Sequence, residues 1–111
     1  MHVKYFNSYD YTAKLAYIHY LPSTPPTDGT RKVIVYLPGV ATTFSYATKV
    51  IAYLREMHAD TEIVTLEYRG HGMSTGVFGV LLDVAVDDVR SLLDIIEGGR
   101  KFDGLTIIGV S

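Results

Sequence analysis

Apolar and polar positions change their period along the chain, and the changes mark the elements. Val3–Phe6 and Ala13–Tyr20 are short aromatic and β-branched segments on either side of Asn7-Ser8-Tyr9-Asp10. That arrangement predicts two strands joined by a hairpin. Pro22-Ser-Thr-Pro-Pro-Thr-Asp-Gly29 cannot continue a strand or a helix, because its three prolines and its Asp-Gly step break both patterns. It reads as a surface loop.

Beyond this loop the pattern shifts to alternating strand and helix. Lys32–Leu37 is a continuous apolar run, the kind covered on both faces in a parallel sheet, and Pro38-Gly39 ends it. From Phe44 to Met57, the residues Ala47, Val50, Ile51 and Leu54 recur at helical spacing, with Thr42 or Thr43 as the expected N-cap. Glu62–Glu67 is a further strand, closed by Tyr68-Arg-Gly-His-Gly-Met-Ser-Thr-Gly76. A second helix is predicted from about Leu82 to Glu97. Its apolar stripe is Ala85, Val89, Leu92, Leu93 and Ile96, and Asp87, Asp88, Arg90 and Asp94 are expected to face water. Gly98-Gly99 ends it. Leu105–Gly109 is the last strand, read as buried, and it completes a β-α-β-α-β series. Such alternation gives a parallel sheet with right-handed crossovers. The fold class is therefore α/β, an N-terminal hairpin plus parallel β-α-β-α-β.

Composition narrows the function classes. The chain has 111 residues, 48% of them hydrophobic and 20% charged, which suits one globular unit rather than a disordered segment. A net charge of −2 with no basic block gives no case for nucleic acid or an anionic membrane surface. The absence of cysteine removes disulfides, thiolate metal sites and cysteine nucleophiles. Neither a signal-peptide pattern nor a run long enough to span a bilayer is visible, so the expected location is the cytoplasm.

Ligands in open α/β sheets bind beyond the carboxyl ends of the strands. Three such ends are present: Pro38-Gly39-Val40, Arg69-Gly-His-Gly-Met-Ser74, and Gly109-Val110-Ser111. Nucleotide binding fails on spacing. Thr75 stands where the third glycine of G-x-G-x-x-G is required, and the loop after Leu37 lacks the glycine and lysine of a P-loop. Acyl transfer fits better. Gly109-Val110-Ser111 is the first half of a G-x-S-x-G nucleophile elbow, and Val40 lies on an earlier loop from which a backbone N–H would complete an oxyanion hole.

In these residues the chain resembles the α/β-hydrolase family. The resemblance rests on Leu37-Pro38-Gly39-Val40, on Glu67-Tyr-Arg-Gly-His-Gly-Met-Ser74, and on Gly109-Val110-Ser111. The middle segment is similar to the family's D-x-R-G-x-G-x-S turn, with Glu67 in place of aspartate. It implies a partial α/β-hydrolase fold with an incomplete three-layer sandwich, residues 1–111 being a single N-terminal fragment of the domain. The implied strand order is 1-2-4-3-5, with the second strand antiparallel to the rest.

The implied chemistry is that of a serine hydrolase acting on an ester, thioester or amide. Ser111 would be the nucleophile and the Val40 N–H an oxyanion donor, with a small-molecule acyl substrate and no cofactor or metal. The family's triad acid and histidine follow the serine, in the order Ser…Asp/Glu…His, and none follows Ser111 here. The isolated chain is therefore expected to be inactive and marginally stable, with an unpaired apolar edge on its last strand that invites self-association. Two other classes share these features: a catalytically dead binding module, and one half of a split hydrolase.

The remaining polar residues have plainer expectations. His71 is expected to hydrogen-bond within its turn, and His58 to favour a helix end. Arg69 is expected to pin the turn, with Glu67 as its partner. The nine tyrosines are expected to pack on strands with their hydroxyls at the rim.

Overall fold

A computed structural model describes residues 2–39, 44–76 and 82–109. The chain runs β1 (Lys4–Asn7), β2 (Lys14–Tyr20), β3 (Lys32–Leu37), α1 (Phe44–Met57), β4 (Glu62–Leu66), α2 (Leu82–Glu97) and β5 (Gly104–Gly109). The five strands form one mixed sheet in the order β1-β2-β4-β3-β5. β2 pairs antiparallel with both β1 and β4, while β3 pairs parallel with β4 and β5. The sheet order and the odd direction of β2 match the expectation drawn from the resemblance.

Alternation along the central strands decides which helix covers which face. Val33, Val35, Val64 and Leu66 point to one side, where they pack with Leu15, Tyr17 and the Val89, Leu92 and Ile96 stripe of α2. Ile34, Tyr36 and Ile63 point to the other side and meet Ala47, Ile51 and Leu54 of α1. Ala16, Ile18 and Phe44 extend that second layer over β2. A strand covered on both faces has no need of polar alternation, which is why β3 reads as an unbroken apolar run.

Three expectations need correction. Val50 of α1 is 38% exposed and lies at the margin of the buried stripe, and Ala85 of α2 is only half-buried. Asp88 does not face water: it is 3% exposed, because it shares the inward side of α2 with Leu92, four residues on. β5 is not buried either. In the parallel register Leu105 stands beside Val33 and Ile107 beside Val35. Leu105 and Ile107 are 49% and 52% exposed, against 1% and 0% for the β3 residues. The apolar sequence made β5 a strand, but the α2 layer stops short of it. Ile108, on the opposite face, does pack against the α1 cluster. The expected N-cap residues Thr42 and Thr43 lie outside the described residues.

Candidate active site at the carboxyl edge of the sheet

The parallel strands β3, β4 and β5 deliver their carboxyl ends to one edge of the sheet. β3 and β5 are neighbours, and the register sets Gly109 directly beside Leu37. Pro38 and Gly39 therefore leave the sheet next to the residue that precedes Val110-Ser111. Val40 and Ser111 themselves lie outside the described residues.

The loop after β4 is described throughout, and each residue of its motif has a part. Glu67 is 2% exposed and accepts backbone hydrogen bonds at both carboxylate oxygens. The Phe44 N–H donates to Oε2 at 3.0 Å, and the Met73 N–H to Oε1 at 2.8 Å. One side chain thus ties the first residue of α1 to the turn that follows β4. The carboxylate also complements the positive end of the α1 dipole.

Gly72 makes this possible. Its φ is +49°, and a Cβ there would lie 2.2 Å from Glu67 Oε2, so a side chain at 72 and the buried carboxylate exclude each other.

Ser74 and Thr75 stitch the turn onto β2. The Ser74 hydroxyl donates to the Glu67 carbonyl at 2.6 Å and accepts the Ala16 N–H at 2.9 Å. The Thr75 N–H donates to the Lys14 carbonyl at 2.8 Å. Within the turn, His71 Nδ1 lies 2.9 Å from the Arg69 carbonyl oxygen, the turn role expected of it. Its ring meets Tyr68 edge-on at 5.9 Å. Burial pushes the Tyr68 phenol up from its ordinary value, so that hydroxyl stays protonated near neutral pH.

Arg69 does pin the turn, but not through Glu67. Its Nε and Nη2 donate to the two Asp88 oxygens at 2.8 and 3.0 Å. Its Nη2 also donates to Asp10 Oδ1 at 2.8 Å, and its Nη1 to Thr12 Oγ1 at 3.1 Å. The guanidinium therefore joins three elements, the β1–β2 turn, the β4 loop and α2, with the Tyr9 ring stacked on it at 5.4 Å. Asp88 and Asp10 hold the Arg69 pKa above its ordinary value, and Arg69 holds the Asp10 carboxyl well below the usual carboxylate range. Glu67 is instead committed to backbone N–H groups. Local sequence cannot show this choice, because Asp10 lies 59 residues from Arg69. The usable signal for Asp88 was its place on the Leu92 side of the helix.

The edge thus consists of backbone donors and turns held by buried side chains, with no cluster of metal ligands among the described residues. His71 is the one described histidine there. His19 lies at the opposite end, against Glu62 at 2.8 Å, and His58 follows the end of α1.

Comparison with known proteins agrees with this architecture. A serine hydrolase homologue from Coxiella burnetii superposes with a TM-score of 0.76 at 17% identity, over 99% of this chain and 51% of its own. An esterase from Pyrococcus furiosus gives 0.74 at 18%, over 97% and 40%. A lidless α/β serine hydrolase from Xanthomonas campestris gives 0.71 at 19%, over 99% and 50%. The chain spans about half or less of the length of these structures. No protein-family model and no curated relative matches it. The chain has an α/β-hydrolase fold, corresponding to part of that architecture.

Proposed function

We propose that this chain is the N-terminal part of a serine hydrolase that cleaves esters, thioesters or amides through an acyl-enzyme. Ser111 Oγ attacks the carbonyl carbon of a small acyl substrate, and the Val40 N–H is one donor to the oxyanion that forms. The histidine that takes the serine proton, and the acid that orients it, come from segments beyond residues 1–111. Residues 1–111 alone are inactive. Water releases the acyl group, no cofactor takes part, and the enzyme works in the cytoplasm. Among the described residues no helix is long and apolar enough to cross a membrane.

The observation that carries this reading is the pairing of Gly109 with Leu37. It starts the two loops that carry Ser111 and Val40 from adjacent strand ends, the geometry an elbow and an oxyanion hole share. The Glu67 clamp adds support, because it secures the far end of the loop that contains Val40.

Steady-state hydrolysis of p-nitrophenyl acetate and butyrate by the full-length protein tests the proposal. Turnover with an initial burst is expected, falling by roughly 10⁴-fold or more in Ser111→Ala. Turnover that survives the substitution would remove Ser111 from the mechanism.

A further inference from the structure

Every polar group of Glu67 has a partner. Its N–H donates to the Ala16 carbonyl at 2.9 Å, and its own carbonyl accepts the Ser74 hydroxyl at 2.6 Å. The backbone of Glu67 is thus locked to β2 and to its own turn. From this fixed base the carboxylate reaches across to the Phe44 N–H with Oε2 and to the Met73 N–H with Oε1.

Phe44 opens α1, and its buried side chain packs with Ala16 and Ile18. That apolar contact sets where the helix lies over β2. The bond to Glu67 sets how its first N–H is turned, because a hydrogen bond is directional and apolar contact is not. On the other side of the same loop, Leu37 is held beside Gly109 by the sheet. Val40 follows Leu37 by three residues and precedes Phe44 by four. The loop that carries Val40 is therefore tied at one end by the β3–β5 pairing and at the other by Glu67.

On the serine hydrolase reading, we infer that Glu67 is a positioning residue for acyl transfer. Its carboxylate fixes the exit of the oxyanion loop, and so sets the aim of the Val40 N–H at the developing oxyanion. It touches neither the substrate nor the reacting atoms. An ionised carboxylate suits the task better than an amide, because it only accepts and both of its bonds come from N–H donors. Misplacing a stabilising group by about 1 Å can cost roughly 100-fold in rate. Acylation and deacylation both pass through an oxyanion, so a looser hole slows the two steps together. kcat then falls while KM holds. A role in stability alone would lower the folded fraction and leave the kinetic constants of the folded enzyme unchanged.

Kinetics of the full-length protein with p-nitrophenyl butyrate test the assignment, with active sites counted from the burst. Glu67→Gln should lower kcat about 10- to 100-fold and leave KM within about twofold. A trifluoromethyl ketone, whose adduct with the serine places an oxyanion in the hole, should lose affinity by the same factor as kcat/KM. Gly72→Ala crowds the same carboxylate from the turn, so it should act alike, and it serves where Glu67→Gln folds poorly. Glu62→Gln, at the other end of β4, should keep kcat within about twofold although it costs stability. Wild-type kcat in either clamp variant, a rise in KM alone, an unchanged inhibitor affinity, or an equal loss of kcat in Glu62→Gln would overturn the inference. Ser111→Ala separates the two claims. If it abolishes turnover while the clamp variants keep theirs, only the positioning role fails; if turnover survives it, the hydrolase reading fails as well.

Discussion

Two buried glutamates bracket β4 and are satisfied in opposite ways. Glu62, at the start of the strand, is held by the side chains of Arg31 and His19. Glu67, just past its end, is held by two backbone N–H groups. A carboxylate paired with a guanidinium joins side chains, and here the Arg31 partner also collects the last carbonyls of α2. A carboxylate that accepts backbone N–H bonds joins loops and sets their path. The first device closes the bottom of the fold. The second shapes the edge at which the chemistry is proposed, using backbone N–H donors at both Glu67 oxygens.

Breaking the charged device should cost most. Arg31→Met leaves Glu62 buried with only His19 beside it, and a loss of about 3–5 kcal/mol in urea unfolding is expected. Gly72→Ala acts at the other end. It forces a methyl against the Glu67 carboxylate at positive φ, and about 2–3 kcal/mol should be lost, with faster hydrogen exchange at Met73. Glu67→Gln keeps the shape but turns an amide NH₂ toward a backbone N–H. About 1–3 kcal/mol is expected, with exchange accelerated at Phe44 and Met73 and unchanged at Ile34.

The charged device also responds to pH. Burial pushes the Glu62 carboxyl up, but the bonds from Arg31 and His19 outweigh it and leave it below its ordinary value of 4.5. A carboxyl lowered in the folded state contributes stability that is present above that ordinary value and is lost as pH falls through the lower folded one. Asp10, lowered chiefly by Arg69, acts in the same direction. Urea midpoints should therefore hold level from neutrality to about pH 5 and fall below it. The fall should be shallower in Glu62→Gln. The smallest effect lies between the two glutamates. Thr65 is 1% exposed and its Oγ1 has no hydrogen-bond partner among the described residues, so Thr65→Val should raise stability by up to about 1 kcal/mol in the same assay.

Much of this was legible in the chain. β3, α1 and α2 begin and end where the pattern put them, because their patterns are long, Pro38-Gly39 stops β3 and Gly98-Gly99 stops α2. Sheet order and the direction of β2 came from the motif resemblance, since periodicity does not order strands. Long-range pairing was the part that local pattern hid. Asp88 reads as solvated because it stands among the charged residues Asp87 and Arg90, and its partner Arg69 is 19 residues away. Arg69 looked like a partner for Glu67 because the two are close in sequence. Strand alternation instead turns Glu67 inward toward Phe44 and Met73. β5 looked buried because its residues are apolar, although burial depends on a covering layer that α2 does not supply.

The edge shaped by Glu67 is proposed to present a serine nucleophile at residue 111. Treatment of the full-length protein with a fluorophosphonate, followed by peptide mass spectrometry, tests it most directly. One stoichiometric adduct on Ser111, absent in Ser111→Ala, is expected. An unlabelled Ser111, or an adduct elsewhere that persists in the variant, would contradict it.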